Sequence, residues 1–99
     1  MIELHIYLEP FSGKESELES IFRDTFVPAI SVQQGFCRVA LLKARDALRV
    51  YRIELAFESE ELRMKWVASR EHQDAFPRIA ALCQRTSWAG FEVVKQALR

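Results

Sequence analysis

The chain has 99 residues, 14 basic against 14 acidic side chains, and 49% hydrophobic residues, so a single domain over 1–99 is expected. The zero net charge offers no basic surface for nucleic acid, and no run approaches the ~20 apolar residues of a membrane span. Met1-Ile2-Glu3-Leu4-His5 lacks the basic start and apolar core of a signal peptide, and Cys37 and Cys83 show no metal-ligand spacing. The expectation is a cytoplasmic protein with two free, mostly buried thiols.

Ile2, Leu4, Ile6 and Leu8 alternate with Glu3, His5, Tyr7 and Glu9, the period of a strand with one apolar face. Pro10 ends it. Ser12-Gly13-Lys14-Glu15 then reads as a capping box for a helix. That helix carries Leu18, Ile21, Phe22, Phe26 and Ala29 on one face, with Pro28 ending or kinking it. Glu15, Glu17 and Glu19 read as its solvated side. Phe36 to Lys43 and Leu48 to Phe57 are two further strands, joined by a polar loop at Ala44-Arg45-Asp46-Ala47. Ser59 caps a second helix with Glu60 and Glu61 in its first turn and an apolar stripe at Leu62, Trp66 and Ser69. Pro77 predicts a break and restart of this helix near Asp74 or Phe76. Ser87 to Lys95 is the last strand.

Strand, helix, strand, strand, helix, strand is the order of a ferredoxin-like α+β domain, with an antiparallel sheet and both helices on one face. Val39 and Leu41 alternate with Phe36, Ala40 and Leu42, and Tyr51, Ile53, Leu55 and Phe57 with Val50 and Ala56. An antiparallel sheet with one wet face shows cleaner alternation, so sheet-to-sheet homodimerisation is expected. Arg38 and Arg52 are mid-strand charges that need partners, which Glu54 or Glu92 can supply.

The run Phe57-Glu58-Ser59-Glu60-Glu61-Leu62-Arg63-Met64-Lys65-Trp66-Val67-Ala68-Ser69-Arg70-Glu71-His72-Gln73 resembles the signature of antibiotic-biosynthesis monooxygenase (ABM) domains. These belong to the dimeric α+β barrel superfamily. Their pattern has an acidic helix start, a Trp or His shortly before a Ser, and a His three residues after it. Trp66, Ser69 and His72 occupy those places, and Gly35-Phe36 matches the usual Gly-Phe step of the second strand. The resemblance runs from Leu4 to Val94 and implies a homodimeric barrel, with a pocket between each subunit's sheet and helices. It also implies oxidation of a small aromatic or quinol-type molecule by dioxygen with no cofactor and no metal. A haem-degrading branch of the superfamily shares Trp66 and Ser69. That branch has an iron-ligating His where this chain has Phe76, and an Asn where it has Ile6, so haem degradation is disfavoured.

His72 is the candidate catalytic residue: an imidazole that removes a phenolic proton near neutral pH, or else one that packs at a helix break and bonds a backbone carbonyl. Trp66, Phe76, Ile6 and Phe22 are the expected substrate contacts, with core packing the other reading of Trp66. His5 and Tyr7 point into the dimer barrel if Leu4 and Ile6 meet the helices. No nucleophile triad, metal-ligand spacing or phosphate-cradling glycine loop can be assembled. The expected function is a cofactor-independent monooxygenase. The alternatives are a non-catalytic dimeric binding or regulatory module of the same fold, and an isomerase of a small metabolite.

Overall fold

The alternation that opens the chain becomes β1 (Ile2–Pro10), with Leu4, Ile6 and Leu8 buried. The structure is a computed structural model describing residues 1–99. Helix α1 (Glu15–Ile21) continues through a π-helical turn, Phe22–Phe26, into α2 (Val27–Ser31). Strands β2 (Phe36–Lys43) and β3 (Tyr51–Phe57) form a hairpin. Helices α3 (Glu60–Ala68) and α4 (Arg70–Ala80) follow, and β4 (Cys83–Glu92) completes the sheet. Every pairing is antiparallel, in the order β2-β3-β1-β4. This is the ferredoxin-like α+β arrangement.

Because side chains two residues apart share a sheet face, the register assigns both faces. Ile6 stands opposite Ile53 and Trp88, and Leu4 opposite Leu55 and Gly90, all on the helix side. Leu18, Phe26 and Ile30 from the first helical layer and Trp66, Ala75 and Ile79 from the second complete the core there. Each buried Leu, Ile or Phe contributes about 1.5–3 kcal/mol by leaving water. Gly35 fastens the hairpin to α3. Its φ is +82°, and a Cβ at that position would lie 2.5 Å from Leu62 Cδ1.

His5, opposite Glu54 and Ala89, and Tyr7, opposite Arg52 and Ser87, lie on the open face. That face is less apolar than the strand sequences suggest. A bulge between Phe36 and Arg38 brings Phe36 to the helix side, edge-on to Phe57 at 6.1 Å. Arg38 donates to Glu3, while Arg52 Nη1 donates to Glu54 at 3.2 Å. Tyr7, Leu42 and Phe91 remain exposed around these pairs.

Several local expectations are corrected. Ser12 does not cap: α1 starts at Glu15 behind Lys14, with no side-chain cap, because the left-handed Gly13 intervenes. Pro28 neither ends nor sharply breaks the first helix. The wider turn before it, where Val27 N–H bonds to Phe22 C=O, accommodates the residue that cannot donate to Asp24. The second break falls at Ser69 rather than around Pro77, which stays inside α4 while Ala75 and Ile79 anchor that helix in the core. β3 starts at Tyr51, after the left-handed Arg49, and β4 runs Cys83–Glu92 rather than from Ser87 to Lys95. Glu19 is not merely solvated, since it accepts from the Tyr51 hydroxyl at 2.5 Å. Cys37 is exposed, not buried.

Candidate active site

Ser69 creates the site. Its backbone is extended (φ −72°, ψ 155°), so α3 stops there and α4 starts one residue later. The Ser69 hydroxyl donates to the Trp66 carbonyl at 2.7 Å and accepts from the His72 amide at 3.1 Å, which satisfies one terminal group of each helix. This pin sets His72 and Phe76 of α4 beside Arg63, Met64 and Val67 of α3. Together with Leu4 and Ile6 of β1 and Trp88 of β4 they line an open cleft of 420 Å³. Trp88 and Met64, 66% and 54% exposed, form its outer rim.

The imidazole of His72 is half-buried between aromatic rings. It meets the Trp66 ring edge-on at 4.9 Å and stacks on Phe76 at 5.5 Å and 15°. Its Nδ1 is buried with no hydrogen-bond partner. Burial, and secondarily the positive charge of Arg63, push its pKa below the ordinary 6.5. At neutral pH His72 is therefore an uncharged base. Arg63 is 8% exposed, and its Nε and Nη2 donate to Glu60 at 2.5 and 2.9 Å. That ion pair raises the Arg63 pKa and lowers that of Glu60. None of the eight residues lining the cleft is acidic.

Of the residues singled out in the sequence, His72, Phe76 and Ile6 line this cleft. Trp66 does not. It is 2% exposed and lies behind His72, edge-on to Phe26 at 5.7 Å. Phe22 is further away, stacked on Phe26 at 5.6 Å. Phe22, Phe26 and Trp66 thus form an aromatic chain ending on the imidazole. Sequence reasoning missed Arg63, Met64 and Val67, whose spacing is a helical stripe adjacent to Leu62, Trp66 and Ser69. It also missed Leu4 and Trp88 as walls.

A second cluster occupies the open sheet face. Glu3, His5 and Glu54 place potential ligand atoms within 4.8 Å of one another, a convergence created by strand pairing and invisible in sequence spacing. His5 Nε2 is 2.7 Å from Glu3, whose pKa is lowered by that bond and by Arg38. With Arg38 and Arg52 paired to the two carboxylates, the group is already neutralised without an ion.

A family model described as antibiotic biosynthesis monooxygenase matches residues 1–78. The chain belongs to that family. Among solved structures, this ABM domain is similar to a mutant of SnoaB, a cofactor-independent oxygenase from Streptomyces nogalater. The match has 19% identity, a TM-score of 0.85, and covers 96% of this chain and 94% of that one. It is also similar to a MhuD mutant with two manganese protoporphyrin IX molecules bound per active site, at 24% identity, TM-score 0.84 and full coverage of both chains. Rv0793 from Mycobacterium tuberculosis matches at 12% identity and TM-score 0.83, covering 98% of each chain. At these identities the likeness concerns the fold. No curated protein sequence matches the chain significantly. No helix of the ABM domain is long and apolar enough to cross a membrane.

Proposed function

We propose that this ABM domain is a cofactor-independent monooxygenase that oxidises a small aromatic or quinol-type molecule in the 420 Å³ cleft, with His72 as the base. The observation that carries the reading is the state of His72: a half-buried, neutral imidazole with no partner for its Nδ1, on the wall of an apolar cleft. SnoaB supports the reaction type as a member of the same fold.

His72 takes the phenolic or enolic proton and leaves an electron-rich anion. That anion reduces dioxygen, a C–O bond forms, and the resulting hydroperoxide expels water to leave a carbonyl. Overall, a CH₂ group and O₂ give C=O and H₂O. The protein supplies a proton acceptor, an apolar cleft and a fixed orientation. Ile6 and Phe76 are the substrate contacts, apolar side chains that β1 and α4 bring to the cleft. Trp66 acts through His72 as a positioning residue, with Phe26 and Phe22 behind it. Haem degradation is not favoured, since neither Phe76 nor Ile6 offers an iron ligand or a hydrogen-bond donor.

Oxygen uptake with anthrone, whose CH₂ becomes the second carbonyl of anthraquinone, tests the reaction when measured with an electrode. Uptake above the uncatalysed rate is expected, and His72→Ala should lower it about 100-fold or more, the lower end of general-base contributions. Uptake equal to background, or a His72→Ala rate equal to the parent, overturns the reading. Conversion of substrate without oxygen uptake is the outcome an isomerase gives. We propose further that two copies pair through the open sheet face, where Tyr7, Leu42 and Phe91 are exposed and no helix covers the strands. Size-exclusion chromatography with light scattering tests this, and a monomer at micromolar concentration overturns it.

A further inference from the structure

The oxygenase reading leaves Arg63 without a task. A guanidinium removed from water is costly unless its donors are used and its charge compensated. Glu60 takes the Nε/Nη2 edge, and Nη2 also reaches Met64 Sδ at 3.4 Å. Nη1, with two N–H donors, makes no hydrogen bond, yet it is not among the fully enclosed atoms that lack a partner. Arg63 itself is a wall of the cleft. The only carboxylate compensating it, that of Glu60, is 55% exposed and lies outside the cleft lining. Inside the cleft, then, one cation meets no acid. The field of Arg63 also reaches His72, whose pKa it helps to depress, so guanidinium and imidazole serve a common space.

We infer that Arg63 is an anion-binding subsite and that the cleft takes a flat, apolar molecule carrying one carboxylate. The inference rests on the cleft being the ligand site of the proposed oxygenase and deepens it by naming the substrate class: an aromatic acid rather than a neutral aromatic. The carboxylate accepts from Nη1 of Arg63. The ring lies between Phe76 on the helix side and Ile6 on the sheet side. The reacting carbon and its acidic proton face His72. A carboxylate also supplies the acidic partner that the cleft lining itself lacks, which no neutral quinol does.

The test is calorimetric and needs no turnover: 2-naphthoate and its methyl ester are titrated into the full chain. A hydrogen bond to a charged group, lost on esterification, corresponds to about 10- to 100-fold in affinity, so the acid should bind tighter than the ester by that factor. Arg63→Gln should bring acid and ester to equal affinity. Glu60→Gln, a change at an exposed side chain, should retain or increase the preference, because it removes the competing carboxylate. Equal binding of acid and ester to the parent overturns the inference while leaving the oxygenase reading in place. A preference that persists in Arg63→Gln, or one that disappears in Glu60→Gln, overturns it as well. If Arg63→Gln fails to fold by circular dichroism, the parent and Glu60→Gln titrations decide alone. Failure of both ligands to bind overturns the cleft as a ligand site and with it both readings.

Discussion

Trp66→Phe separates packing from function at the candidate site. Trp66 is 2% exposed, edge-on to Phe26 at 5.7 Å and to His72 at 4.9 Å. A phenyl ring is smaller than an indole by roughly 40 Å³, and at about 24 cal/mol per Å³ the void costs about 1 kcal/mol. The lost transfer of the missing apolar atoms adds about 1 kcal/mol more. A total of about 2 kcal/mol should lower Tm by about 8–16 °C for a chain of this length. The functional consequence follows from what depresses His72. Burial is the main cause and the Arg63 charge the second, so the neutral imidazole persists below the ordinary 6.5. Activity that needs the neutral base is present above that depressed pKa and falls as pH drops through it, which places the acid limb below 6.5. Water entering behind a smaller ring weakens the burial effect and leaves the Arg63 effect, so the limb should move up towards 6.5 without reaching it. A circular-dichroism melt and the pH profile of oxygen uptake measure the two consequences. An unchanged Tm refutes the packing argument. A lowered Tm with an unmoved acid limb refutes the claim that Trp66 keeps His72 dry.

Gly35→Ala should cost about 2–5 kcal/mol, about 1–2 from its left-handed backbone and about 1–3 from overpacking Leu62. In the double variant with Leu62→Ala, only the contact part should be recovered, by a double-mutant cycle in urea. Ser69→Ala removes the hydroxyl that joins the Trp66 carbonyl to the His72 amide and should lower stability by about 1–2 kcal/mol. An unchanged urea midpoint would show that the helix break is held by other means. Tyr51 has its pKa raised from 10.0 to about 12 by burial and by its bond to Glu19. A raised folded-state value means that this contribution to stability is complete below pH 10.0 and lost as pH rises to about 12. Tyr51→Phe should therefore remove part of the alkaline loss of stability, read as urea midpoints across that window.

The fold was legible because its signals are periodic. Alternation in Ile2 to Leu8 and in Tyr51 to Phe57 specifies strands whatever lies around them, and the order of elements then leaves few topologies. Boundaries set by tertiary context were not legible. Pro28 and Pro77 read as helix breakers, yet a π-helical turn accommodates the first and core anchoring carries the second. Ser69 reads as one more position on an apolar stripe. Nothing local says that its hydroxyl will serve two helix ends at once, which is what moves the break to it.

The site was legible to the extent that a stripe implies a single buried face. Helical spacing says correctly that Trp66 points inward, but not that the imidazole of His72 lies between it and the cleft. On a helix of 3.6 residues per turn, Arg63 and Val67 sit within roughly 60–100° of Trp66, at the flank of the stripe, where an arginine normally reaches water. Its burial is a property of two helices rather than one. Only the break at Ser69 brings His72 and Phe76 alongside residues 63–67, turning the flank of α3 into an inner wall. A basic side chain in that position stays protonated, its pKa raised by the bond to Glu60, and loses most of its solvent. The same break that buries the imidazole thus also creates a cation facing the cleft. The placement of both the imidazole and the guanidinium against the cleft therefore depends on the geometry of Ser69.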